Sequence, residues 1–397
     1  MALPQEPKYL DGNGSQHKVE KRIKTKKTLF VNSTPIQKGK PTVGFQAMKE
    51  TLIRVRNRAI RTLYKSIFKP IAFRMDPEVM HNHCSGIGRL LGSNPFTRAL
   101  TRLLFDYSHP LLERTVAGIH FKNPIGLSAG FDKNAELTKI IPCVSFGFME
   151  VGSITGEPCP GNPKPRLWRH PELKSIRVYY GLMNDGCRAI AKRLAGRHFD
   201  IPMGISVAKT NNEATCEVDA GVQDYAKAFK TMKDCGAYLT VNLSCPNAYG
   251  GQPFTDPVKL EKLLQKLDDI PTKKPIFLKL SPDMSTAELD KVLAIASRHR
   301  VHGFICTNLT KKHNLGNGGL SGKAVDELSL AQIRHVHQKT KGRMAIIACG
   351  GIFTAEDAWK RLEAGASLLQ LITGMIYEGP QLISEINQGL VERMKKG

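Results

Sequence analysis

Tyr238-Leu239-Thr240-Val241-Asn242-Leu243-Ser244-Cys245-Pro246-Asn247 opens as a short apolar run rich in strand formers and closes in two amides and a thiol. A buried strand that ends this way carries its chemistry at its C-terminal tip. Asn side chains grip both donor and acceptor edges of a planar ring, and a thiol accepts or gives a proton. The next residues, Ala248-Tyr249-Gly250-Gly251-Gln252-Pro253, form a Gly-rich loop. Two readings fit the stretch alone: a core cysteine with Asn residues capping a turn, or a site acting on a small polar ring.

The same pattern recurs along the chain. Eight short apolar runs read as strands: 125–128, 148–152, 203–207, 239–243, 276–280, 303–307, 345–348 and 369–372. Helical stretches lie between them, such as 225–234, 287–297, 329–338 and 355–364. Eight β/α units in succession predict an α/β fold, a closed (β/α)8 TIM barrel, and such a barrel takes about 250 residues. An open doubly wound sheet would carry a Gly-rich dinucleotide turn after its first strand, and none is found there.

Functional side chains of such barrels sit at the C-terminal strand ends. Read in order, these ends offer Ser128-Ala129-Gly130 with Asp132-Lys133, then Ser153, Ser206 with Lys209, and Asn242, Cys245 and Asn247. Lys279, Thr307-Asn308, Gly350-Gly351 and Thr373-Gly374 complete the ring. Successive glycines after the last strands suit a phosphate, because backbone N–H groups can form a nest there. Gly318-Gly319-Leu320-Ser321-Gly322 reads as a second flexible Gly-rich loop. Lys133 and Lys279 in the barrel mouth are costly to bury without an anionic partner, which a barrel carboxylate or a bound anion could supply. Of 397 residues, 41% are apolar and 23% charged, which suits a large globular core. The nine cysteines include no C-x-x-C pair, so a zinc ribbon or four-cysteine cluster is not expected, and reduced thiols fit best.

The N-terminal region reads differently. Residues 1–70 hold 16 Lys/Arg against 4 Asp/Glu, a net +12 out of +23 for the chain. Residues 1–42 are polar and basic and read as a disordered tail. From Phe45, apolar residues Met48, Leu52, Val55, Ile60, Leu63, Tyr64, Ile67 and Phe68 recur at helical spacing, with Arg54, Arg56, Arg58, Arg61 and Lys65 between them. Such a basic amphipathic helix either lies in a membrane interface or docks on its own domain. Asp76-Pro77 marks the start of a second helix running towards Leu91, and a third spans about 95–104. The expected organisation is a tail over 1–42, amphipathic helices over 43–112 and the barrel over 113–397. No run of 18 apolar residues predicts a transmembrane helix, and the N-terminus has no apolar secretory core.

Together these residues resemble the dihydroorotate dehydrogenase family of FMN-dependent barrels, from about residue 66 to 392. The resemblance rests on Lys122–Lys133, Gly161-Asn162-Pro163-Lys164-Pro165-Arg166, the Asn242–Asn247 motif, Gly319-Leu320-Ser321-Gly322 and Gln370–Gly374. Phe73-Arg74-Met75-Asp76-Pro77-Glu78 and its flanking helices resemble the extension of the class 2, membrane-bound branch, which implies a slot leading a quinone to the flavin. Position by position, the resemblance implies that Ala129, Gly130, Lys133, Ser153, Ser206, Asn242, Lys279, Thr307, Gly322, Gly350, Gly351, Thr373 and Gly374 hold FMN. Lys133, Gly181, Leu182, Asn242, Asn247 and Asn308 would hold dihydroorotate, and Cys245 would be the base that takes the C5 proton. The implied activity is oxidation of (S)-dihydroorotate to orotate with a quinone acceptor, in pyrimidine biosynthesis.

The chain departs from the family pattern in places. The class 2 branch has Ser where Cys245 stands, and Cys there, like the segment 180–184 and the loop 248–253, leans towards class 1. Val178, Leu309 and Ser206 replace an Asn, a Thr and an Asn. Alternatives are therefore an FMN barrel acting on another dihydropyrimidine or activated alkene, a class 1-like enzyme with an iron–sulfur partner subunit, and an RNA-acting enzyme like the dihydrouridine synthases. Only a short tail follows Thr373, where the last group adds a helical domain, so no nucleic-acid partner is expected. The expected location is peripheral, on the cytoplasmic face of a bacterial inner membrane or on the mitochondrial inner membrane. A thiol ionises far more readily than an alcohol, so a Cys base should work at lower pH than Ser, with nearby Lys133 lowering its pKa further.

Overall fold

The computed structural model describes residues 43–245, 247 and 249–396. The expected tail over 1–42 lies outside them. The chain divides after Ala47; the first unit contributes only the start of one helix among the described residues, and Met48–Gly397 forms one compact unit.

That helix, α1 (Val43–Leu63), continues through a π-helical turn over Tyr64–Phe68 into α2 (Lys69–Ala72). Helix α3 (Pro77–Ser93) starts where expected: Asp76 caps it, accepting from the Glu78 and Val79 N–H groups at 3.0 and 2.9 Å, with Pro77 preset for the first turn. Asn94 caps α4 (Pro95–Phe105) in the same way, accepting from Phe96 N–H at 2.8 Å.

A hairpin of β1 (Arg114–Val116) and β2 (Ile119–Phe121) precedes the barrel. The barrel strands are β3 (Ile125–Leu127), β4 (Phe148–Ile154), β7 (Met203–Val207), β8 (Tyr238–Asn242), β9 (Ile276–Lys279), β10 (Gly303–Cys306), β12 (Ala345–Cys349) and β13 (Leu368–Leu371). They close in that order, all parallel, with β13 pairing back to β3. The helices between them are α5 (Cys187–Leu194), α6 (Val218–Met232), α7 (Pro257–Asp268), α8 (Thr286–Ala296), α9 (Asp326–Thr340) and α10 (Ala355–Glu363). Helices α11 (Thr373–Glu378) and α12 (Leu382–Met394) follow the last strand. Between β3 and β4 only a short 3-10 turn, Ile141–Cys143, stands in place of a long helix.

Strands covered on both faces are continuously buried, which is why they read as unbroken apolar runs. Inside the barrel, Phe148, Tyr238, Phe277, Ile305, Ile347 and Leu368 form one cluster. Gly126 and Gly204 make room for it: a Cβ there would sit 2.3 Å from the Phe148 ring and 2.1 Å from the Tyr238 ring. Above this layer the fully buried Glu150 carboxylate accepts from Tyr238, Thr240 and Gln370 at 3.0–3.1 Å.

One expectation is corrected. The segment 318–322 is not a free loop. Gly319–Leu320 forms β11, an edge strand buried against β6 (Ser175–Val178), which pairs in turn with β5 (Leu167–His170). This small antiparallel sheet stands over the barrel mouth and brings Val178 beside the substrate-side residues.

Helix α1 packs much of its polar side inward. Arg56 donates to the Leu103 and Asp106 carbonyls (2.9 and 3.1 Å) and to Ser384 Oγ (3.0 Å), and buried Asn57 also reaches Ser384. Arg54, Arg61 and Lys65 pair with Glu392 and Glu385 of α12 and Glu378 of α11. Met48, Leu52, Val55, Leu63 and Ile67 face outward, each more than half exposed.

Candidate active site

A cavity of about 560 Å³ runs from the C-terminal ends of the barrel strands to the space between the N-terminal helices. Its floor is built by strand ends. Asn242, at the tip of β8, donates to Ser153 Oγ at 2.8 Å and accepts from Ser244 N–H and Oγ–H at 3.2 Å. Asn308 donates to Ser244 O and Oγ at 3.0 Å. Ser244, a connector that sequence reading did not single out, thus ties the ends of β8 and β10 together. Its place inside the Asn242–Asn247 motif was the only signal for it.

Asn247 is buried, donates to Val178 O at 2.7 Å, and leaves its Oδ1 without a hydrogen-bond donor among the described residues. A buried unpaired acceptor is costly, so this oxygen is suited to a donor on a bound ring. Cys245 lines the same cavity and accepts the Asn247 backbone N–H.

Of the residues that the resemblance assigns, the cavity brings together Ala129, Gly130, Lys133, Ser153, Gly181, Leu182, Asn242, Cys245, Asn247, Lys279, Thr307, Asn308, Gly322, Gly350, Gly351, Thr373 and Gly374. Ser206 is not among its lining. It is fully buried one layer behind, hydrogen-bonded to Ser153 Oγ at 2.7 Å, so it braces the serine from behind the cavity wall. Val178 and Leu309, the two departures, do line the cavity and present apolar surface to it.

The charges are arranged as follows. Lys279 is buried, and its Nζ lies 3.3 Å from Ser128 Oγ with no carboxylate at ion-pair distance among the described residues. The barrel carboxylate that could have paired it, Glu150, is taken by hydroxyl and amide donors instead. Lys133 stacks its Nζ 4.0 Å over the Tyr180 ring. Burial pulls that ammonium down to about 8, against the opposing pull of Asp132 and Glu78. Burial likewise pushes His81 down to about 3, so this ring is neutral at ordinary pH.

The expectation that Lys133 lowers the Cys245 pKa is corrected. Burial dominates and pushes the thiol up to about 11, and the cation acting most strongly against it is Lys209, not Lys133.

At the far wall the backbone packs closely against its neighbours at two glycines. Gly351 has φ +71°, and a Cβ there would come within 2.4 Å of Arg361 Nη2 and Asp326 Oδ1. Gly322 (φ +73°) is as tight, 2.3 Å from Lys174 O. Thr373 Oγ1 lies 2.7 Å from Ser321 Oγ. At the other end the cavity passes between Tyr64, Phe68, Met80, His81, Ile87 and Leu91, a largely apolar passage. A buried ion pair holds that passage to the barrel: Arg166 Nη2 meets Glu78 Oε1 at 2.8 Å, and Arg166 also donates to the Pro160 and Asn162 carbonyls at 2.9 Å.

Comparison with known proteins agrees with this layout. The dihydroorotate dehydrogenase family profile matches residues 111–394. A dihydroorotate dehydrogenase (quinone) from Synechococcus sp. is 38% identical over 352 residues, covering 83% of this chain and 92% of the relative. One from Christiangramia forsetii is 39% identical over 342 residues, covering 83% and 99%. The crystal structure of a DHODH from Eimeria tenella in complex with ferulenol superposes with a TM-score of 0.72 at 28% identity, covering 81% of this chain and 92% of that one. With a closed barrel, strand-end amides around a thiol and an N-terminal helical extension, the chain belongs to the dihydroorotate dehydrogenase family, in its quinone-dependent class 2 branch.

Proposed function

We infer that the chain oxidises (S)-dihydroorotate to orotate and delivers the electrons to a quinone, as a step of pyrimidine biosynthesis. The observation that carries this reading is a single cavity that joins Cys245 and three strand-end amides to an apolar passage between helices. Asn242, Asn247 and Asn308 offer amide edges to a pyrimidine ring, and Lys133 offers a cation to an anionic substrate. Cys245 Sγ takes the C5 proton, and the apolar surroundings keep water from competing for it.

The cradle fits FMN. Gly322, Gly350, Gly351, Thr373 and Gly374 line the wall for its phosphate, and Ala129, Gly130, Ser153, Asn242 and Thr307 would border its ring. Lys279 supplies a buried ammonium that lacks a carboxylate among the described residues. Bound there, FMN supplies the hydride acceptor and the route for electrons to the quinone.

The outward apolar faces of α1, α3 and α4 support peripheral attachment to a quinone-bearing membrane. No helix among the described residues is long and apolar enough to cross one. The deciding experiment mixes FMN-loaded protein with dihydroorotate without oxygen and follows the flavin's visible absorbance. Bleaching that a quinone reverses is the expected result. Persistent yellow colour would overturn the substrate reading. Dihydrouracil run in parallel tests a second reading, favoured by the apolar Val178 and Leu309, in which another dihydropyrimidine is the substrate.

A further inference from the structure

We propose that Lys323 is a positioning residue for the flavin phosphate: from behind the cavity wall, its ammonium fixes the Gly351–Ile352 peptide so that backbone N–H groups face the phosphate. The inference rests on the proposed binding of FMN.

Lys323 follows Gly322 in the 3-10 turn Gly322–Val325 and does not itself line the cavity. Its Nζ donates to Asp326 Oδ2 at 2.7 Å, to Asp357 Oδ1 at 3.1 Å and to Gly351 O at 3.1 Å. All three protons of the ammonium are thereby used. Its backbone N–H donates to Lys174 O at 3.2 Å, which anchors the turn beside the start of β6. One side chain thus ties the turn after β11 to the turn after β12, the two glycine-bearing arms of the far wall.

The carboxylates that hold Lys323 are held in turn. Asp357, in the first turn of α10, accepts Phe353 N–H at 2.9 Å. Asp326 pairs with Arg361, which is 1% exposed and also donates to Asp357 O at 3.0 Å. Two cations and two carboxylates make a closed, neutral set. Neither cation is left over as a direct partner for an anion in the cavity. The set acts on the cavity through the backbone that it grips.

That backbone is Gly351 and Ile352, both buried and both lining the cavity. Neither N–H has an acceptor among the described residues. The peptide between them is trans, so its C=O and N–H point in opposite directions. With Gly351 O drawn to Lys323 behind the wall, Ile352 N–H is turned towards the cavity. Gly351 has no room to retreat from this pose, since even a Cβ there would meet Arg361 and Asp326 at 2.4 Å. Buried N–H groups without acceptors are costly, and phosphate oxygens would satisfy them.

Lys323 could be no more than a brace for the fold. Riboflavin, which lacks only the phosphate of FMN, separates the two roles. The full chain, freed of flavin, is titrated with FMN and separately with riboflavin. Both Kd values are read by equilibrium ultrafiltration, with the melting temperature followed beside them.

Lys323→Met keeps the length of the side chain and removes the ammonium. It is expected to raise the Kd of FMN about tenfold or more and to leave that of riboflavin within about twofold. Lys323→Arg keeps a cation within reach of the same acceptors, and its FMN preference is expected to stay beside that of the wild type. Lys323→Gln is one bond too short to reach Gly351 O and both carboxylates together, and gives a second removal if Lys323→Met folds poorly. A lower melting temperature with an unchanged FMN preference, or affinities for the two flavins lowered alike, marks a brace of the fold and overturns the proposal. So does a Lys323→Arg preference reduced as far as that of Lys323→Met. If wild-type protein binds FMN no more tightly than riboflavin, the cofactor reading has failed at this wall and the proposal falls with it.

Discussion

The barrel and the N-terminal helices bury opposite things. In the barrel, apolar side chains fill most of the inside, and the few charges buried there, such as Glu150 and Lys279, sit among polar groups at the strand ends or between strands. In α1, the polar side is turned inward: Asn57 is 1% exposed and bonded to Ser384, while Leu52 and Val55 are about 60% exposed. Fifteen of the nineteen large apolar side chains exposed among the described residues lie between Met48 and Leu104. The barrel satisfies itself within its own surface. The helices do not, since an apolar patch of this extent on a folded protein marks an interaction site, here ascribed to a membrane. Under the proposed function the two regions would divide the work: polar positioning at the strand ends, and access for an apolar electron acceptor between the helices.

The sharpest way to break this division is to remove the base. Cys245→Ala is expected to lower kcat with dihydroorotate by about 10²–10⁴-fold while FMN binding and vesicle binding remain, as measured by anaerobic stopped-flow and flavin content. As the proposed base, Cys245 would work only when ionised, and burial raises its titration to about 11. The ionised fraction thus grows with pH, and flavin reduction is expected to climb roughly tenfold per pH unit below that point. A flat profile would remove Cys245 from the proton step.

Next in size is the joint between the regions. Glu78→Gln leaves the buried Arg166 charge without its carboxylate, and a loss of about 3–5 kcal/mol in unfolding free energy is expected from denaturant titration. Smaller again is the patch itself. Leu52→Glu with Ile67→Glu is expected to weaken binding to lipid vesicles by about 2 kcal/mol or more, with reduction by dihydroorotate unchanged. If catalysis falls instead, the helices do more than attach the protein. The smallest effect is expected at the apolar wall of the cavity, where Leu309→Thr should tighten dihydroorotate by about 1 kcal/mol, read as a lower KM.

The barrel was legible because its strands are buried on both faces. Met203–Val207 begins and ends where its apolar run does, and the other seven strands shift by at most two residues. Helix α6 starts at Val218, seven residues before the expected Tyr225: Val218, Val222 and Tyr225 already recur at helical spacing, but no side-chain cap marks the start. The hairpin over 114–121 and the two-residue strand Gly319–Leu320 escaped sequence reading. Three residues or fewer give no period, and the partner of Gly319 is Val178, far back in the chain. At the site, strand-end positions pointed to residues that line one cavity, but a strand end does not say which side chain reaches it. Ser206 turned behind Ser153 for that reason. Where each lysine's ammonium goes was equally hidden, since Lys133 and Lys209 both follow strand ends and only packing places the first over Tyr180 and the second against Tyr249 O.

The Glu78–Arg166 pair also forms the first link of a relay. Arg166 holds the Asn162 carbonyl at 2.9 Å, and Asn162 donates to the Asn247 carbonyl at 3.1 Å, two residues from the thiol. A molecule that wedges α3 outward pulls on the same chain of contacts that shapes the ring-binding amide. Occupants of the helical passage and of the ring site are then thermodynamically coupled: whatever factor an occupant of the passage imposes on dihydroorotate affinity, dihydroorotate must impose on that occupant in return. Paired titrations of an apolar passage ligand and orotate, with wild type and Glu78→Gln side by side, would read that coupling as a factor present in the first and diminished in the second.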